Sequence, residues 1–182
     1  GTLPLVPKPV VFRFARRYIA GLTLDDAVRT ARELEAEGAM STIDVLGEAV
    51  TRRDQTEATR DEYLRVLDVL TSHRLPANVS VKPTALGLSI DPKLARENFR
   101  AICRKAAETE TFLRIDMEDS PYTESTLALA LELKEEFPNV GVVVQAYMRR
   151  TLRDMDRLVA ARMNVRICKG IYVEPRELAF KG

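Results

Sequence analysis

The segment Phe112-Leu113-Arg114-Ile115-Asp116-Met117-Glu118-Asp119-Ser120 begins apolar and then carries four ionisable residues within six positions. Burying that much charge without partners is costly, because an apolar surround cannot replace the lost hydration. Such a strand end is a candidate for electrostatic work on a polar substrate. Two further segments repeat the design. Val79-Ser80-Val81-Lys82 and Val165-Arg166-Ile167-Cys168-Lys169-Gly170 each run from apolar residues into a cation. Charged groups gathered at the ends of successive parallel strands are how a β/α barrel assembles a site.

Each of these residues has a functional and a plainer reading. Strand alternation puts Arg114, Asp116 and Glu118 on one face and Leu113, Ile115 and Met117 on the other. The charged face must look into a barrel, either as a site or as a structural ion network. Lys82 is an ammonium for a substrate carboxylate or phosphate, a Schiff-base amine, or a lysine reaching from a strand end to solvent. Arg166 lies within a strand, where a guanidinium needs a carboxylate or a cofactor oxygen. Gly170 permits close backbone approach by a ligand. Gln145 ends an apolar strand, so its amide needs a partner, either a planar heterocycle or neighbouring backbone. Tyr147 and Tyr172 stand just past two strands, as pocket lining or rim packing. Asp44 and Glu48 sit at the first strand end, where the plain expectation is capping. The single histidine, His73, falls at a helix end, which argues against a Ser-His-Asp triad or a His-rich metal site.

The elements that must position these groups alternate. A proline-bearing arm covers residues 1–20, and residues 21–182 read as the N-terminal part of a β/α barrel domain. Thr23 caps a helix with Leu24, Ala27, Val28, Ala31 and Leu34 at helical spacing. Strands are predicted at 40–46, 79–82, 112–117, 141–147 and 165–169. The intervening helices are predicted at about 55–73, from Asp91 onward, at 123–137 and at 151–162. Glu174-Pro175-Arg176-Glu177 is expected to open a further helix. Strands alternating with helices mean a parallel α/β sheet. The first strand lacks the Gly-rich turn of a doubly wound nucleotide binder, which favours a TIM-like barrel. A barrel of that type has eight strands in about 250 residues, so these five are expected to be its front part.

Composition narrows the classes. The 182 residues carry a net charge of +1 with both signs interspersed, which gives no reason to expect nucleic acid as a partner. No apolar run is long enough for a transmembrane segment, and no signal peptide is visible at the start. The two cysteines, Cys103 and Cys168, are expected to be reduced thiols of a cytoplasmic protein.

At these residues the chain resembles the proline dehydrogenase family. The resemblance is carried, in order, by Asp44-Val45-Leu46-Gly47-Glu48, Val79-Ser80-Val81-Lys82, Arg114-Ile115-Asp116-Met117-Glu118-Asp119, Val144-Gln145-Ala146-Tyr147 and Arg166-Ile167-Cys168-Lys169-Gly170-Ile171-Tyr172. It implies a distorted β/α barrel holding FAD over the strand ends. The activity implied is oxidation of L-proline to 1-pyrroline-5-carboxylate, with a quinone as electron acceptor. By the same resemblance Asp116 and Arg166 are active-site groups, and Lys82 pairs with the substrate carboxylate. Tyr172 approaches the substrate, and Glu48 is half of an ion pair closing the pocket. Met117, Gln145, Lys169, Gly170 and Ile171 contact FAD. Reduction of a quinone implies a cytoplasmic protein that is peripheral at the inner membrane.

Two positions depart from the family pattern. Pro83 stands where an aliphatic residue is usual, and Ile171 stands where a small Ala is usual. The family's later strands, a Thr-His segment and an arginine-bearing helix do not occur in this sequence, so a complementing C-terminal chain is an expected partner. Two other classes fit the residues: a Schiff-base aldolase barrel using Lys82 or Lys169, and an inactive barrel fragment that pairs with another chain.

Overall fold

The computed structural model describes residues 20–181 apart from 22, 48 and 49. Thr23 opens helix α1 (Leu24–Ala36) with a reciprocal cap: its hydroxyl accepts from the Asp26 amide, and the Asp26 side chain accepts from the Thr23 amide. Strand β1 (Ser41–Asp44) leads to helix α2 (Arg53–His73) and strand β2 (Ala77–Val81). A single 3-10 turn, Thr84–Leu86, precedes helix α3 (Pro92–Glu108). Asp91 caps α3 through the Lys93 amide, and Pro92 fills the first helical position, where a missing N–H costs nothing. Strand β3 (Leu113–Ile115), helix α4 (Ser120–Glu136), strand β4 (Val140–Gln145), helix α5 (Thr151–Ala160) and strand β5 (Asn164–Cys168) complete the order.

All five strands are parallel and lie in chain order, β1-β2-β3-β4-β5. An unbroken order with right-handed crossovers leaves every connecting helix on one face of the sheet. The architecture is therefore an α/β arc of a TIM-like barrel, not closed among the described residues. The helix-facing side chains Val79, Val81, Leu113, Ile115, Val140, Val142 and Val144 are buried against Leu67, Phe99, Ile102, Leu133 and Leu158. Each such side chain contributes about 1.5–3 kcal/mol on leaving water.

The opposite face is polar and stacked in rows. Register pairs Asp44 with Ser80, Ser80 with Arg114, Arg114 with Gly141, and Gly141 with Asn164. Arg114 reaches across Gly141 to the Asn164 side chain (2.8 Å) and carbonyl (3.2 Å), and it stacks on the Phe112 ring. A Cβ at Gly141 would stand 2.7 Å from Arg114 Nη1, Phe112 Cζ and the Asn164 carbonyl oxygen. Only a hydrogen at this position lets the guanidinium cross the barrel interior.

Two expectations are corrected. Among the described residues no helix follows Glu174. The chain makes one turn, with the Leu178 and Ala179 amides both donating to the Pro175 carbonyl. It is then drawn alongside residues 147–149 by bonds from the Arg149 amide to the Leu178 carbonyl and from the Phe180 amide to the Tyr147 carbonyl. Those amides and carbonyls are committed sideways, so helix propagation stops. The third strand is also shorter than expected, and alternation ends at Ile115. The expected N-terminal arm lies almost wholly outside the described residues.

Each edge strand has one neighbour. On β5, Ile167 is 63% exposed, while Val165, Ile43 and Val45 are half-buried. Unpaired strand edges beside apolar side chains template association. Residues 1–182 expressed alone are expected to associate, and to be rescued by co-expression of a completing C-terminal segment. Size-exclusion chromatography with light scattering checks this, and a cooperative monomer would contradict it. Gly141→Ala in the complete protein is expected to cost about 1–3 kcal/mol of stability through overpacking, measured by urea unfolding.

Candidate active site

The row above Arg114 holds the charges. Lys82 follows β2 directly, Asp116 follows β3, and Arg166 lies in β5. The Arg166 guanidinium donates to Asp116 Oδ1 at 2.8 Å, and the Ser80 hydroxyl donates to the same oxygen at 2.5 Å. Lys82 Nζ lies 3.8 Å from the other Asp116 oxygen and is paired closely with Asp44 Oδ2. Asp44, Lys82, Asp116 and Arg166 thus form a chain of alternating sign across the arc. Each charge has an opposite neighbour, which offsets much of the desolvation that burial imposes.

Tyr63, on the buried face of α2, closes the far end. Its hydroxyl lies 2.7 Å from the Ser80 carbonyl and 3.0 Å from Asp44 Oδ1, and it accepts from the Val45 amide. Burial, reinforced by the Asp44 carboxylate, pushes this phenol up, so it stays protonated and donates. Asp44 is therefore an ion-pair member held by Tyr63 and Lys82, not the cap its position suggested.

The cavity beside this chain encloses about 280 Å³. Lys82, Asp116 and Arg166 line it together with Met117, Val143, Gln145, Cys168, Gly170, Ile171 and Tyr172. At 20%, 17% and 40% side-chain exposure the three charged groups are reachable by a small molecule yet shielded from bulk water. Arg166 Nε is buried with no hydrogen-bond partner among the described residues. Met117 enters the cavity beside Asp116, although strict alternation would send it away, because the strand has already ended.

Glu118 also leaves the strand pattern. Its carboxylate accepts from the Thr84 amide (2.8 Å) and hydroxyl (2.6 Å), and its carbonyl accepts from the Gln145 amide (2.8 Å). These bonds tie the loops after β2, β3 and β4 into one rim. A second hollow of about 630 Å³, lined by Val50, Thr84, Asp119 and Tyr122, shares Glu118 and Tyr172 with the first.

Of the sequence-predicted residues, the structure brings Lys82, Asp116, Met117, Gln145, Arg166, Gly170, Ile171 and Tyr172 together around one cavity. Lys169 is exposed beside it, and Glu48 lies outside the described residues. Gly170 has a left-handed φ of +108°, and the ring of Tyr147, not a ligand, fills the space a Cβ would need. Sequence reasoning gave no role to Ser80 or Tyr63. Ser80 was findable, as an inward polar residue between two strand valines. Tyr63 was not, because it sits in an apolar helical stripe.

Several known proteins resemble the chain. The proline dehydrogenase family model matches residues 27–177. Proline dehydrogenase 1 of Bacillus subtilis subsp. natto is 34% identical over 91% of this chain and 55% of its own length. The proline dehydrogenase of Deinococcus radiodurans is 30% identical over 93% of the chain and 56% of its own length. The chain spans about half the length of these curated relatives. In structure it is similar to proline utilization A of Bdellovibrio bacteriovorus, with a TM-score of 0.79 and 25% identity over 88% of this chain and 20% of that one. The family model covers most of the chain, and two relatives at 30% identity or above align along nearly all of it; the chain belongs to the proline dehydrogenase family.

Proposed function

We propose that the complete protein oxidises L-proline to 1-pyrroline-5-carboxylate with FAD, passing electrons on to a quinone. Residues 21–182 would form the N-terminal part of its barrel, completed by a C-terminal segment. The observation that carries the reading is the alternating-charge chain of Asp44, Lys82, Asp116 and Arg166, the last three of which line one cavity, in a chain of this family.

The lining fits a flavin. Gln145 offers an amide, Met117 a thioether and Gly170 a half-buried backbone, while Arg166 brings a cation whose buried Nε has no partner among the described residues. When bound, FAD supplies the two-electron acceptance that no side chain here can provide. Met117, Gln145, Arg166, Lys169, Gly170 and Ile171 are the residues proposed to hold it.

Lys82 is assigned the substrate carboxylate. Asp44 and Asp116 fix its ammonium at the cavity wall, so the charge is positioned before the ligand arrives and little rotamer freedom is lost on binding. Asp116 is in turn held by Arg166 and Ser80, which fixes its carboxylate at the cavity wall. Tyr172 walls the same cavity and would face the pyrrolidine ring, and Glu48 would help close it. Among the described residues no helix is long and apolar enough to cross a membrane, and a quinone would be reached by peripheral contact.

The aldolase reading has less support. Two carboxylates engage the Lys82 ammonium, and Lys169 is exposed outside the cavity. Neither offers the amine in an apolar pocket that Schiff-base chemistry uses.

The purified complete protein is expected to be yellow and to bleach anaerobically on addition of L-proline. A flavin spectrum unmoved by proline would refute the substrate, and borohydride trapping of a carbonyl compound on Lys82 would favour the aldolase. Lys82→Met is expected to weaken a proline-like carboxylate about tenfold to a hundredfold while FAD binding changes less, as titration of the flavin spectrum would show.

A further inference from the structure

The segment after β5 carries Gly170, Ile171 and Tyr172 to the cavity with no regular secondary structure of its own. Ile171 and Val173 are 87% and 96% exposed, so apolar packing of these two side chains does not hold it. Yet it is tied at two points. The Tyr147 hydroxyl donates to the Tyr172 carbonyl at 2.9 Å, and the Tyr147 ring packs against Gly170 where a Cβ would stand. On the far side Glu174, only 4% exposed, accepts from the Ser120 amide at 2.7 Å. Ser120 is the first residue of α4, and Asp119 makes no side-chain cap there. Glu174 therefore caps that helix from another loop. Lys181 Nζ donates to the Glu174 carbonyl and fixes the backbone at the same place.

We propose that Tyr147 and Glu174 are positioning residues, a two-point tether that holds Tyr172 against the substrate cavity. The inference rests on the reading that Tyr172 faces the substrate. Tyr147 is anchored through its own backbone, its amide donating to the Lys169 carbonyl and its carbonyl accepting from the Phe180 amide. Burial and the nearby Glu174 carboxylate raise its phenol, so it remains a donor at neutral pH. Tyr147 grips the loop at the Tyr172 carbonyl and Glu174 pins it through its own carboxylate on the α4 backbone, so neither bond uses the Tyr172 ring. The tethers should therefore govern substrate affinity more than the chemical step.

The test uses the complete, FAD-loaded protein. Tyr147→Phe keeps the ring against Gly170 and deletes the donor. It is expected to raise KM for L-proline about three- to tenfold and to leave kcat within about twofold. In a Tyr172→Ala background that increment should vanish, because the wall being held is gone. Glu174→Ala should raise KM similarly, and Glu174→Gln, which keeps an acceptor for the Ser120 amide, should restore most of it. In protein without flavin, hydrogen exchange of the amides at 170–174 should quicken in Tyr147→Phe and Glu174→Ala, with the interior of α4 unchanged. An equal KM increment with and without the Tyr172 side chain would overturn the tether. So would unchanged exchange at 170–174. If proline fails to bleach the flavin while exchange quickens as expected, the proposed activity fails and the tether stands.

Discussion

The cavity end of this sheet depends on one constraint: every charge placed there must meet its opposite. Asp44, Lys82, Asp116 and Arg166 obey it by alternating in sign from β1 to β5. Removing one member would leave its neighbours buried and uncompensated, a larger loss than the pair itself contributes. The hydroxyls of Tyr63 and Ser80 supply the remaining bonds of Asp44 and Asp116. The chain of charges therefore runs from the helical layer to the open strand. It couples the packing of α2 to the position of a guanidinium four strands away.

That coupling is possible because strand order is monotonic. With all helices on one side, the other face is free to carry polar rows, one row for every second residue. The lower row is filled by Arg114, which spans the gap over Gly141 and stacks on Phe112. Burial and the Arg166 charge both press on Arg114, and its bonds to Asn164 offset them. The upper row opens to the cavity. One step of two residues along the strands separates a structural cation from one within reach of ligand.

Above the rows, the rim is ordered by bonds between loops more than by apolar packing. Glu118 gathers Thr84 and Gln145, while Tyr147 and Glu174 hold the segment after β5. Such hydrogen bonds are individually modest, about 0.5–1.5 kcal/mol, but several on one short loop define its path. The division suits an enzyme, with a rigid charged floor beneath a rim whose geometry can be tuned without unfolding the core.

Much of this was legible in the sequence. Periodicity located the five strands and the helices between them, and Asp91-Pro92 and Thr23 marked helix starts, because these are local signals of hydrophobic spacing and capping. The charges at the ends of Val79–Lys82 and Arg114–Asp119 pointed to a rim, and the ordered motifs pointed to a family. Tertiary structure alone decided which charge meets which. Asp44 and Lys82 are 38 residues apart, and Asp116 and Arg166 are 50 apart, so their pairing follows from register across the sheet. The same holds for Tyr63, an apolar-stripe residue until α2 packs its hydroxyl on the first strand end. It also holds for residues 174–181, where helical-looking sequence yields to sideways bonds with Tyr147 and Arg149. Local sequence sets what a segment can bury. Long-range hydrogen bonding, which no window of sequence contains, sets where each polar group is satisfied.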